Sequence, residues 1–202
     1  MNYKIVSSGS QGNCVIIENL MIDCGIAYKD LEEYLPDIDY LFITHKHGDH
    51  LKETTYNRIR REYPHIKTMG NYEVAYEVTV DKIITDNRIK LDSNHYITPF
   101  PVPHDVICFG VVGEFEDKDY IYVTDSAGTK SWPRGKYDYL FIESNHDPQK
   151  VAMANKKKRF GYNVWAGAKR HTSAHDSKAF YFANRKSEDS EWIELHKSKR
   201  FY

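Results

Sequence analysis

The segment Thr44-His45-Lys46-His47-Gly48-Asp49-His50 puts three imidazoles and a carboxylate into one short turn, directly after the apolar run Tyr40-Leu41-Phe42-Ile43. Imidazole nitrogens and carboxylate oxygens are the donors that Zn²⁺ and its first-row neighbours take at about 2.0–2.2 Å, and donors on the turn after a strand can converge on an ion. His45 and His47 alternate as side chains leaving a strand do, whereas Asp49 and His50 follow Gly48, where the backbone can turn and aim them at a neighbouring centre. A single histidine here would be an ordinary surface residue. The His-x-His-x-Asp-His run in a strand-then-turn context is far more specific, and its spacing predicts two ions. A two-ion hydrolytic site, with metals about 3.5–4 Å apart, needs further ligands from elsewhere in the chain.

The elements that would position them are readable from short apolar runs. Lys4-Ile5-Val6, Cys14-Val15-Ile16-Ile17 and Leu20-Met21-Ile22, bounded by Gly, Asn or Ser, predict strands, and the segments 28–35 and 51–63 have helical spacing. Strands return over 96–102, 106–115, 120–124 and 139–142, with short polar links suited to hairpins. Helices are expected from Gln149 and over 173–184, before a last strand, Glu191-Trp192-Ile193-Glu194-Leu195. Two strand-rich halves that each carry helices predict an α/β (α+β) chain built as an αββα sandwich, two sheets with helices outside.

Composition narrows the class. The 202 residues suffice for one sizeable core and contain no repeat or low-complexity stretch, so a single domain over 1–202 is expected. Cys14, Cys24 and Cys108 sit among apolar residues without paired spacing and read as reduced and buried. Met1-Asn2-Tyr3-Lys4-Ile5-Val6 enters a strand without a signal-peptide pattern, and no apolar run approaches membrane-spanning length, so a cytoplasmic protein with no membrane partner is expected. A formal net charge of −1 gives no global field for polyanions, although Lys150, Lys156, Lys157, Lys158, Arg159, Lys169 and Arg170 lie in a stretch free of acidic residues. That stretch is either a solvated basic face or a platform for an anionic substrate.

Further ligand types stand at strand ends: Asp23 after Leu20-Met21-Ile22, His104 after Phe100-Pro101-Val102-Pro103, Asp125 after Ile121-Tyr122-Val123-Thr124, and His196 after Trp192-Ile193-Glu194-Leu195. Each alone could cap a turn; together they predict a dinuclear centre.

With these residues the chain resembles the metallo-β-lactamase superfamily over nearly its whole length, and within it the YycJ/WalJ-type proteins. The closer likeness lies in Ser7-Ser8-Gly9-Ser10-Gln11-Gly12-Asn13-Cys14, Met21-Ile22-Asp23-Cys24-Gly25, Pro101-Val102-Pro103-His104-Asp105 and Glu143-Ser144-Asn145-His146-Asp147. Arg170-His171-Thr172-Ser173-Ala174 and Leu195-His196-Lys197-Ser198-Lys199-Arg200-Phe201-Tyr202 resemble C-terminal motifs of tRNase Z. The resemblance implies one ion held by His45, His47 and His104, a second by Asp49, His50 and a late histidine, Asp125 bridging both, and Asp23 orienting a ligand imidazole. It favours His196 over His171 as the late ligand. It also implies His171 as general acid or phosphate clamp, Asp49 or Asp125 orienting the attacking water, and Asn145 and His146 as substrate contacts. His175 and Asp176 read as polar residues of a helix start.

The function expected is a dinuclear metal-dependent hydrolase using Zn²⁺ or Mn²⁺, a phosphodiesterase or nuclease acting on DNA or RNA. The chain is short for a YycJ-type protein and shows no tRNA-gripping arm, which keeps small cyclic nucleotides as an alternative substrate. A non-catalytic metal-binding protein of the same fold is the alternative from a different class.

Overall fold

Buried β-branched and leucine-rich runs set the strands. In a computed structural model that describes residues 1–156 and 164–202, they form two six-stranded sheets. The chain divides into two compact units, Met1–Asn87 with Val106–Phe109, and Arg88–Asp105 with Gly110–Tyr202. Of the basic run, Lys156 ends a helix, while Lys157, Lys158 and Arg159 lie outside the described residues.

The first unit's sheet runs in sequence order: β1 (Tyr3–Ser7), β2 (Cys14–Ile17), β3 (Leu20–Ile22), β4 (Tyr40–Ile43), β5 (Lys67–Gly70) and β6 (Lys82–Ile83). β1, β2 and β3 pair antiparallel, and β3 to β6 pair parallel. The parallel pairs need crossovers, which α1 (Glu53–Glu62) and α2 (Tyr72–Glu77) supply after β4 and β5. All of β2 and β3 is buried, as continuous apolar runs demand, and α1 lays Tyr56 and Ile59 on a core that includes Met21, Leu31, Leu41 and Ile43. Asn71 caps α2, its side chain accepting from the Glu73 and Val74 amides. The helix expected over 28–35 is instead two single 3₁₀ turns, Tyr28–Asp30 and Leu35–Asp37. Pro36 bounds the segment: it disfavours helical geometry at Leu35 and lacks an N–H to continue a helix. The sequence reading also passed over β5, α2 and β6, whose short runs carry little periodicity.

In the second unit the order is β12-β11-β10-β9-β8-β7, with β7 (Ile89–Lys90), β8 (His95–Val102), β9 (Cys108–Phe115), β10 (Lys118–Val123), β11 (Tyr139–Glu143) and β12 (Glu191–Leu195). β9 and β10 form a tight hairpin, with Glu116 at φ 54° in its turn. The link to β11 is not a hairpin, because β10 and β11 pair parallel, as do β11 and β12. The segment between Val123 and Tyr139 has the dozen or so residues a crossover needs, and it buries Trp132 against Phe180, ring centroids 4.9 Å apart. Among the described residues three helices follow β11: α3 (Pro148–Lys156), α4 (Val164–Ala168) and α5 (Ala174–Asn184), the last capped by Ser173, which accepts from the Asp176 amide. The strand expected over 191–195 has the same bounds as β12.

Candidate metal centre

Backbone geometry at the strand ends aims the site residues. Asp23, directly after β3, and Asp125 and His196, after β10 and β12, have φ of 64°, 48° and 54°. That left-handed conformation is uncommon for side-chain-bearing residues, but aspartate and histidine tolerate it better than most, and strain of this kind collects at functional sites.

In the first unit, the rings of His45, His47 and His50 cluster, His45 lying 4.8 Å from His47 and 4.0 Å from His50 between centroids. Asp23, wholly buried, organises them. Its Oδ1 accepts from the Thr44 amide at 2.8 Å and its Oδ2 lies 2.7 Å from His50 Nδ1. Burial pushes the Asp23 carboxyl up, with the His50 and Thr44 interactions opposing. Thr44 Oγ1 lies 3.0 Å from His45 Nδ1, and Cys108 Sγ is 3.6 Å from the same nitrogen. Both imidazoles therefore have Nδ1 engaged by the protein, which fixes the ring and presents Nε2 to a metal.

The turn carrying Asp49 and His50 is pinned from three sides. His50 and Leu51 amides donate to the His47 carbonyl, Asn13 N donates to Asp49 O at 2.7 Å, and Cys24 N donates to His50 O at 2.9 Å. The backbone approaches Gly25 so closely that a Cβ there would sit 1.8 Å from the Asp49 carbonyl oxygen. Asn13, absent from the expected site, places its Nδ2 2.8 Å from His50 Nε2. A metal ion held by that nitrogen would take the place of this hydrogen bond. The only sequence signal for Asn13 was its position in the glycine-rich motif.

In the second unit, donor atoms of Asp125, Glu143, His171 and His196 all lie within 4.8 Å of one another. Glu143, the last residue of β11, is the member of this group that the sequence did not assign to the site. It is fully buried, its Oε2 accepting from the Ser126 amide at 2.9 Å and the Thr172 amide at 3.0 Å, while its Oε1 lies 2.7 Å from His171 Nδ1 and 3.3 Å from His196 Nδ1. Burial alone would raise its carboxyl, but the bonds and charges of His171 and His196 outweigh it and hold Glu143 below the usual range. Burial likewise works against the His171 imidazolium, yet Glu143 and Asp125 lift it above its ordinary value. The His171 and His196 rings stack with centroids 5.0 Å apart, and Asp125 Oδ1 is 3.4 Å from His171 Nδ1 and 3.3 Å from His196 Nε2.

Asn145 is turned to His196, donating to its carbonyl at 2.8 Å, with the same Nδ2 3.1 Å from the ring Nδ1. His146 is more than nine-tenths buried, and its Nδ1 has no hydrogen-bond partner among the described residues. Burial pushes its pKa down. His104 follows β8 with Nε2 3.1 Å from Asp105 Oδ1. Asp125, His171, His196, Asn145, His146 and His104 thus belong to the second unit, and His45, His47, Asp49, His50 and Asp23 to the first. Imidazole nitrogens and carboxylates, held by buried partners, fit a divalent ion by donor chemistry.

Two mixed sheets with flanking helices, and histidines and acids presented at strand ends, define a metallo-β-lactamase fold. A model of the beta-lactamase superfamily domain matches residues 18–164, and the chain belongs to that superfamily. Exodeoxyribonuclease WalJ of Streptococcus pneumoniae is 28% identical over 174 residues, covering 72% of this chain and 62% of that protein. Exodeoxyribonuclease YycJ of Bacillus anthracis is 24% identical over 178 residues, covering 76% and 66%. The chain therefore spans less than two thirds of the length of these curated relatives. Human tRNase Z, short form, matches in structure with a TM-score of 0.69 and 16% identity, over 99% of this chain and 93% of that one, a likeness of fold. The resemblance to the superfamily and, within it, to the YycJ/WalJ-type proteins is borne out.

Proposed function

We propose that this chain is a dinuclear metal-dependent phosphodiesterase acting on DNA or RNA, working as one domain. The observation that carries it is the Asp125, Glu143, His171 and His196 cluster, three of its members buried and His171 partly exposed, where a hydrolase would need both metal donors and a proton-handling imidazole. The names of the WalJ and YycJ relatives, both exodeoxyribonucleases, support the substrate class. The family match, running through both units, supports the single domain.

We assign His45, His47, Asp49 and His50 of the first unit and His104, Asp125 and His196 of the second as metal ligands, with Zn²⁺ or Mn²⁺ as the ions. When bound, such ions acidify water to near neutrality and stabilise charge on phosphate oxygens. The chain's own residues do the rest. Asp23 and Thr44 fix the His50 and His45 tautomers, so that Nε2 carries the lone pair. Asp49 orients the attacking water. Glu143 holds the proton on His171 Nδ1; His171, its pKa raised, clamps the phosphate or delivers a proton to the leaving oxygen. His146 contacts substrate, while Asn145 supports His196.

Among the described residues no helix is long and apolar enough to cross a membrane. Three free, buried cysteines support a reducing compartment, the cytoplasm.

The test is a panel of metal-reconstituted protein against single-stranded DNA, duplex DNA, RNA and cyclic nucleotides. Hydrolysis of a polymer, with binding that weakens steeply as salt rises, is expected. Turnover confined to cyclic nucleotides moves the reading to a small-molecule phosphodiesterase. No turnover of any phosphodiester at full metal loading leaves a metal-binding protein. His104→Ala should lower metal content and abolish hydrolysis, whereas His171→Ala should keep metal content near normal and reduce turnover. Loss of an ion in the second variant would exchange the roles of His171 and His196.

A further inference from the structure

A cavity of about 300 Å³ opens in the second unit, with His171, His146, Trp165, Lys169 and Asp176 in its walls. We propose that it seats a single unpaired nucleobase at the end of the substrate strand, stacked on Trp165; this rests on the phosphodiesterase reading above.

Four observations converge on that occupant. Trp165, on α4, leaves 45% of its surface exposed, whereas Trp132 is buried in the core. Half-exposed aromatic rings beside a catalytic imidazole offer a π-face, which every base can use. Lys169 Nζ lies over the Trp165 ring, 5.9 Å from its centroid, so a base that stacks on that face displaces the ammonium, which is then at hand for the sugar-phosphate. His146, more than nine-tenths buried, lines the same cavity, with an Nδ1 that is shielded from solvent and has no hydrogen-bond partner among the described residues. Finally, His171 is a wall of the cavity while its Nδ1 is bound to Glu143, so a base on Trp165 brings its own phosphate to the imidazole assigned to the chemistry.

The volume selects among substrates. It is at the bottom of the roughly 300–1,000 Å³ range of ligand pockets, a size that one nucleotide fills. The substrate at this site is then a frayed or single-stranded end, because a base must leave its stack to enter. Asp176, whose Oδ2 accepts from Ser173 Oγ at 2.8 Å, is held at the cavity wall as an acceptor for exocyclic amines.

The experiment uses the full metal-loaded chain and single-stranded oligonucleotides ending either in a normal nucleotide or in an abasic tetrahydrofuran residue, at the 3′ or the 5′ end. Wild type should prefer the normal terminus by about tenfold, mainly through KM, as loss of one stacking contact implies. Trp165→Ala should erase that preference with kcat within about twofold, and Trp165→Phe should retain most of it. A second arm does not need turnover: dAMP should quench tryptophan emission where deoxyribose 5-phosphate does not, and Trp165→Phe should lose that quenching. Quenching without hydrolysis of any phosphodiester would sink the phosphodiesterase reading and leave the base seat standing. Hydrolysis of DNA with no terminal preference, an unchanged KM in Trp165→Ala and no Trp165-dependent quenching would overturn the base seat alone.

Discussion

Glu143→Gln is the substitution that probes the second unit's cluster most directly. The change is isosteric, so packing is preserved and only charge and donor pattern move. Glu143 Oε2 accepts from two backbone amides, Ser126 N and Thr172 N, and Oε1 faces Nδ1 of both His171 and His196. A glutamine amide must keep its carbonyl oxygen on the two backbone donors, because an NH₂ there would leave both buried N–H groups facing another donor. The NH₂ then occupies the Oε1 position and donates to the imidazoles, which forces their Nδ1 atoms to accept and moves each proton to Nε2. His171 loses the tautomer and the raised pKa that the carboxylate enforces, and His196 presents an N–H where it should present a lone pair.

The magnitudes follow from those two consequences. Replacing a charge-assisted hydrogen bond (about 1.5–3 kcal/mol) by a neutral one (about 0.5–1.5 kcal/mol) costs about 1–2 kcal/mol of stability. For a chain of 202 residues that is a fall in Tm of about 2–8 °C. Metal affinity should drop about 10–100-fold, as for other outer partners of ligand histidines. At saturating metal, turnover should still be about 10²–10⁴-fold low, because a wrong tautomer removes proton transfer without moving the ring. Calorimetry, metal content by mass spectrometry and single-turnover cleavage of an oligonucleotide read the three quantities separately. Turnover within about twofold of wild type at full metal loading would refute the role given to Glu143.

Three further outcomes are expected. Asp23→Ala leaves the buried His50 Nδ1 and the Thr44 amide without their carboxylate acceptor, so urea titration should show a loss of about 3 kcal/mol or more, with reduced metal content. Gly25→Ala drives a methyl into the Asp49 carbonyl, and backbone on both sides cannot yield cheaply; a destabilisation of about 3 kcal/mol is expected by the same method, and a loss below about 0.5 kcal/mol would show that the turn is looser than its hydrogen bonds imply. Glu62 accepts from Tyr28 Oη and Arg58 Nε, which depress its pKa from 4.5 to about 2, so its contribution to stability is complete above pH 4.5 and disappears as pH falls toward 2. The Tm gap between wild type and Glu62→Gln, measured by scanning calorimetry from pH 6 downward, should close across that window; a constant gap would count against the linkage.

What could be read from the sequence, and what could not, has a common physical origin. Asp23, Asp125 and His196 were found because an acid or imidazole directly after an apolar run marks the end of a strand, and the structure shows why that place is useful. A residue just past the ladder can take a left-handed φ and swing its side chain off the sheet face, as these three do. β12 was legible to the residue because its alternation and its polar boundaries agree. The segment over 28–35 was not: Leu31 and Leu35 supply a helical spacing, but the backbone forms separate 3₁₀ turns and Pro36 stops any helix from running on past Leu35. Glu143, though part of a recognised motif, was given no role in the site for a different reason: it is inside the ladder, where a carboxylate looks like an outward-facing strand residue, and only the amides of Ser126 and Thr172, distant in sequence, make its burial tolerable. Ligand-type residues that end strands are therefore visible locally, whereas the buried carboxylate that sets their protons is visible only once the fold has brought its donors together. On that logic the least legible residue is also the one that most controls the chemistry of the cluster: His171 and His196 can be placed from sequence, but the nitrogen each offers is decided by Glu143.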